Sequence, residues 1–104
     1  MKKLTVADLK PSASRLMPEA LDAAIARGGL YIFKPGEIAH PEPRHDHDTA
    51  EVCIFEQGQG VIPIDGVDYP VQTGDVVIVD AGEDHHTRSS VDDPLVAAWY
   101  VMST

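Results

Sequence analysis

From Leu30 onward, the chain never runs far without a breaker. In "GQGVIPIDGVDYPVQTGDVVIVDAG", residues 58–82, every apolar run is cut by Gly, Pro or Asp before three helical turns could form. The segments between breakers are short, β-branched or aromatic, and recur about every 8–12 residues, the rhythm of a sandwich or barrel. Candidate strands are "LYIFK", "EVCIFEQ", "GVIPI", "VDYPVQ", "DVVIVD", "HHTRSS" and "LVAAWYVM". Asp65-Gly66 between two of them is a two-residue hairpin signal. "TGD" marks another tight turn, before the continuously apolar "VVIV". These signals predict an antiparallel all-β domain.

The first third reads differently. "MPEALDAAIARGG" places Pro18 at a first helical position, helix formers through Arg27, and Gly28-Gly29 as a stop. Leu21 and Ile25 would share a face. The expectation is an irregular or extended arm around "LTVADLKP" followed by one short helix. Residues 1–29 are thus arm and helix and residues 30–104 the barrel, one domain overall at 104 residues.

The excess of 17 acidic over 8 basic residues gives a net charge of −9, which repels nucleic acid and anionic membrane surfaces. No apolar run reaches the roughly 20 residues that span a bilayer. "MKKLTVADLK" has lysines but no apolar h-region, so the expected location is the cytoplasm. The single cysteine, Cys53, rules out an intrachain disulfide and a thiolate-built metal site.

The histidines are clustered. "RHDHDTAE" holds His45 and His47, with Glu51 four residues on; His40 lies upstream, and His85-His86 lie downstream. On a strand, His45 and His47 face one side with backbones about 6.6 Å apart, within reach of one ion. On the same straight strand Glu51 would lie roughly 20 Å from His45. A turn over Asp48–Ala50 would return the chain, so that Glu51 opens the next strand beside the histidines. Two imidazoles and a carboxylate suit iron, manganese, nickel, cobalt or zinc, and His85 could complete the set. A polar turn that merely contains histidine is the plainer alternative.

The second histidine segment extends the pattern. "HDHDTAEVCIFEQG" reads H-x-H-x3-E-x6-G. "GDVVIVDAGEDH" reads G-x5-[P]-x-G-x2-H, with Asp80 at the proline position. These resemble the two signature motifs of the cupin superfamily, and the resemblance covers about residues 30–102. Eight residues rather than five separate Gly36 from His45, and Ser89 replaces a frequent asparagine. The resemblance implies a double-stranded β-helix, or jelly-roll barrel. It makes His45, His47, Glu51 and His85 the ligands of one divalent transition metal. It also implies a dioxygenase, isomerase, decarboxylase or lyase acting on a small oxygenated metabolite, with Glu51 as the candidate catalytic base. A binding or sensing module without turnover, or a metal that only stabilises the barrel, are the alternatives.

Parity places the neighbours. Cys53 and Phe55 share Glu51's face, while Thr87 and Ser89 share that of His85, so these four are the expected substrate pocket. Cys53 has no activating neighbour and reads as a packed side chain. His86 faces away from His85. Arg44 and Arg88 fall on the outer parity, and His40 has no motif position. Val52 and Ile54 point out of the barrel and need cover, from the helix or from a second subunit. The cupin resemblance implies a homodimer through such a face, so the expected partners are a small molecule and a second copy.

Overall fold

A computed structural model describes residues 1–8 and 24–103. The strands are β1 (Lys2–Thr5), β2 (Ile25–Ile32), β3 (Glu51–Gln57), β4 (Gln59–Ile64), β5 (Val67–Gln72), β6 (Asp75–Val79), β7 (Arg88–Ser89) and β8 (Val96–Met102), with one 3-10 turn at Val6–Asp8. They form two antiparallel sheets, ordered β1-β6-β3-β8-β2 and β5-β4-β7. This is the all-β jelly-roll expected of residues 30–102.

Local chemistry explains the hairpins. Asp65 (φ 48°) and Gly66 (φ 82°) both take positive φ, the two-residue turn that matches strand twist, and β4 pairs with β5 from Ile64↔Val67 outward. β6 is buried at every position because Val77 and Val79 face the main core while Val76 and Ile78 join a second apolar cluster on the opposite face, and that accounts for its unbroken "VVIV". Between the sheets lies the main core, including Phe55, Ile62, Val77 and Leu95. On the outer face of the larger sheet, Val52, Val76, Ile78 and Met102 form a second cluster, with Leu4, Ile54 and Tyr100 packed against it. Val52 and Ile54 thus point away from the barrel interior, as parity requires.

The N-terminal third departs from expectation. Of the helix expected over Pro18–Arg27, residues 18–23 lie outside the described residues, and Ile25, Ala26 and Arg27 belong to β2. Helix propensity amounts to a few tenths of a kcal/mol per residue, and β8 offers Ile25–Ile32 a ladder of partners broken only by a register shift between Ile25 and Arg27, so tertiary pairing wins. The extended arm is a true strand at its start: β1 pairs with β6 from Lys2↔Ile78 to Thr5↔Asp75. No helix among the described residues is long and apolar enough to cross a membrane.

Candidate metal centre

Three segments converge at one end of the barrel. His45 and His47 lie on an extended stretch outside any ladder. Their carbonyls nevertheless both accept hydrogen bonds from the chain opposite, His45 O from His85 N (2.9 Å) and His47 O from Gly82 N (2.9 Å). Carbonyls two residues apart share a side, and the two imidazoles therefore share one as well. The chain bends at Asp48-Thr49, and Glu51 opens β3 beside them. His85 comes from the segment before β7, held by a bridge to Ile64 in β4. The hairpin tip pins that segment further, through Asp65 N to Asp84 O (2.8 Å) and Asp84 N to Asp65 Oδ1 (2.9 Å).

The rings face each other, with centroids 4.8 Å apart for His45–His47, 4.9 Å for His45–His85 and 5.4 Å for His47–His85. One ligand atom from each lies within 4.8 Å of the others, a grouping that could hold a metal ion. Glu51 adjoins the group: Oε2 is 3.3 Å from His47 Nε2 and Oε1 is 3.2 Å from His85 Nε2.

The donor atoms fit a cation. The Nε2 atoms of His45, His47 and His85 are all buried, yet none makes a hydrogen bond. Three orphaned acceptors in one place would be costly unless something electropositive satisfied them. His85 Nδ1 lies 2.9 Å from Glu83 O, a contact it can make only as a donor, so the neutral ring carries its lone pair on Nε2, facing the group. His45 Nδ1 sits 3.2 Å from Glu42 Oε1, which favours the same tautomer.

Electrostatics support this arrangement. Burial alone would push the Glu51 carboxyl up, but the imidazoles of His85 and His47 outweigh it and hold it below the usual glutamate value. His85 shows the converse: burial pulls it down, but Glu51 and the Glu83 carbonyl carry it above 6.5. His45 is lowered by burial and by the other two imidazoles. Burial and the Glu51 charge push the Cys53 thiol well up, so it stays protonated and donates to Glu51 Oε1 at 3.5 Å.

A sign follows for metal uptake. In the metal-free protein, His85 holds its proton to a higher pH than a free histidine, and a metal must displace that proton. Zinc affinity should therefore rise with pH through 6.5 and beyond, releasing protons on binding; competition titrations at several pH values should show it, and a flat profile would contradict it.

The structure also gathers residues outside the two motifs. His40 stacks on His45 with centroids 3.5 Å apart and planes 8° apart, and its backbone takes a positive φ of 116°. Its ring lines the mouth of the cavity, an outcome its sequence position between prolines does not signal. His86 turns away from His85, with Nδ1 2.7 Å from His40 O and Nε2 2.8 Å from Asp84 Oδ1. Asp84 in turn accepts the His45 backbone N–H at 2.7 Å. This chain of contacts sets the His45 backbone. Asp84→Ala should weaken zinc binding by about 10- to 100-fold, and Asp84→Asn, which keeps an oxygen acceptor, by less; competition with a chromophoric chelator would measure both.

Beside the three imidazoles opens a cavity of about 350 Å³. Cys53, Phe55 and Thr87 line it. Ser89 does not: it is buried, and its hydroxyl accepts from Leu95 N at 2.9 Å and donates to Ser90 O. Arg44 and Arg88 lie outside the cavity, paired with Asp46 (2.8 Å) and Asp68 (4.0 Å). Trp99, Tyr31 and Arg27 also line it.

This barrel, with its histidines drawn from both segments, has known relatives. The family model of the cupin domain matches residues 29–101. The chain belongs to the cupin family. Among solved structures, this cupin is 28% identical to the plu4264 protein of Photorhabdus luminescens, at a TM-score of 0.61, with 71% of this chain and 60% of that one covered. It therefore spans about 60% of that relative's length. It is similar to a cupin protein (BF4112) of Bacteroides fragilis, with 20% identity, a TM-score of 0.65, and 92% and 81% covered. A predicted oxalate decarboxylase (tm1287) of Thermotoga maritima is 25% identical at a TM-score of 0.60, with 84% and 75% covered.

Proposed function

We propose that this cupin is a metal-dependent enzyme acting on a small oxygenated metabolite, of dioxygenase, isomerase, decarboxylase or lyase type. The proposed ligands of its single divalent ion (iron, manganese, nickel, cobalt or zinc) are His45, His47, Glu51 and His85. One observation carries the reading: three buried imidazole Nε2 atoms without hydrogen-bond partners converge beside an ionised carboxylate at the wall of a cavity of about 350 Å³. A structural metal site is normally enclosed by protein ligands, whereas this group opens onto a space the size of a small ligand.

Bound there, the ion would supply Lewis-acid or redox chemistry to a substrate oxygen. The chain's own groups would divide the remaining work. Glu51, ionised and in contact with two imidazoles, is the group placed to take a proton from a substrate. The Cys53 thiol orients that carboxylate by donating to Oε1. Thr87 offers a hydroxyl, and Phe55 an apolar wall that excludes water from the reacting face. The likeness to a predicted oxalate decarboxylase favours keeping decarboxylation within the set.

We also infer a cytoplasmic homodimer. β2 ends the larger sheet among the described strands, and Leu30 (57% exposed) and Ile32 (69% exposed) stand on its outer side, which suits a second copy; sedimentation velocity would decide it. For the metal, elemental analysis of protein purified without added metal should find about one ion per chain. Protein that arrives metal-free and then ignores all five candidate ions would sink the reading. Oxygen uptake and product detection over small diketones, enols and phenolics would then identify turnover. A compound held tightly but returned unchanged would make the protein a binding module instead.

A further inference from the structure

The strand that replaces the expected helix end brings one charged side chain into the barrel. Arg27 pairs with Val101 of β8, and Val101 pairs on its other side with Glu51 of β3. Directly opposed residues share a sheet face, so Arg27 and Glu51 stand in one row on the inner face. Two strand spacings separate their backbones, about 10 Å. An arginine side chain and a compact organic molecule bridge that gap together.

Arg27 lines the same cavity as the imidazoles and is its one Lys or Arg side chain among the described residues. It has no acidic partner among the described residues, although this chain has 17 acidic residues and only 8 basic ones. Arg44 and Arg88, by contrast, are paired on the surface. Between Arg27 and Tyr31, Gly29 leaves room for the Trp99 indole, whose Nε1 would lie 3.3 Å from a Cβ at that position. The rest of the wall near this row is apolar, with Phe33, Phe55 and Ala97. An exposed guanidinium at one end, an apolar middle and a cluster of metal-ligating groups at the other end describe a ligand with matching parts.

We propose that Arg27 is a specificity-determining residue that selects a small carboxylate-bearing molecule, gripping the carboxylate while the molecule's other oxygen function faces the three histidines. The planar fork of arginine matches a carboxylate through two parallel N–H···O bonds. A phosphate ester fits less well, because it usually calls on a helix N-terminus or a glycine-rich backbone cradle, and neither meets this cavity among the described residues. The inference rests on the proposed reading of the cavity as a metal-centred small-molecule site, and it names the substrate class for that site.

Trp99 is the chain's single tryptophan and lines the cavity, so its fluorescence reports occupancy. The test titrates metal-stripped protein with benzoate and, separately, with benzyl alcohol, in wild type, Arg27→Met and Arg27→Lys. Wild type should bind benzoate saturably and in preference to benzyl alcohol. Arg27→Met should weaken benzoate at least about tenfold, or about 1.4 kcal/mol, with benzyl alcohol unchanged. Arg27→Lys, which keeps the charge without the fork, should fall between. Equal benzoate binding by wild type and Arg27→Met would overturn the proposal. So would a wild type that shows no saturable benzoate response or no preference for the carboxylate. Because no metal is present, failure here leaves metal uptake intact, and failed metal uptake leaves this comparison readable.

Discussion

Replacing His85 with alanine should abolish metal uptake at the proposed centre while leaving the barrel standing. The imidazole supplies one of three converging Nε2 atoms, and its loss leaves two imidazoles and a carboxylate. Perturbing a partner one layer removed typically costs 10–100-fold in affinity, so removing a ligand should cost more than about 100-fold. The backbone contacts that place residue 85, its N–H to His45 O and the bridge to Ile64, involve no side chain and should survive. The missing ring widens an existing cavity rather than opening a void in the main core. Glu51 would then lose the imidazole that does most to lower its carboxyl, which should move upward because burial is less opposed. His86→Ala is the matched control: its ring faces Asp84 and His40 O, so its metal loss should stay within about tenfold. Metal content and chelator competition read the first effect, and near-ultraviolet circular dichroism reads the fold. A His85→Ala protein that keeps its metal, or a His86→Ala protein that loses it equally, would show the ligand set to be wrong.

The second large effect concerns stability. Gly58→Ala should cost about 2–4 kcal/mol and lower the Tm by about 10–20 °C. Gly58 closes the first histidine motif at φ 80°, where an L side chain is strained. A Cβ there would also stand 2.0 Å from Pro94 O and 2.7 Å from Asp93 O, both backbone atoms. The loop would have to move, and with it the Gln59 N to Asp93 O bond (3.0 Å) and the seat of fully buried Leu95. Gly74 separates the two contributions: its φ is 91°, but a Cβ at that position would meet nothing within 4 Å, so Gly74→Ala should lose only about 1–2 kcal/mol. Equal melting shifts for the two variants would remove close packing as the cause at Gly58.

Much of the site was legible because strands obey a simple parity. That rule put His45 with His47, demanded a corner at Asp48–Ala50, and separated His86 from His85. It also placed Cys53, Phe55 and Thr87 toward the cavity. It failed to separate Thr87 from Ser89, since parity says which face a residue takes but not what it meets there. The Ser89 hydroxyl is taken by Leu95 N, a partner six residues on across the turn into β8. His40 stayed outside any pattern because its place is defined by contacts with distant residues, its ring stacking on His45 and its carbonyl meeting His86.

The β rhythm, the Asp65-Gly66 hairpin, the breaker-bounded core strands and the two histidine segments can all be read from the residues alone, because each depends on neighbours within a few positions. Other features needed the folded chain. Residues 25–27 carry local helix signals, yet β8 offers them a ladder whose hydrogen bonds and packing exceed a small helix preference, and that choice turns Arg27 into the cavity. The requirement for glycine at position 58 likewise comes from a loop more than thirty residues away. Contacts distant along the chain carry no local signature, and here they decide which charges face the clustered histidines of the candidate site.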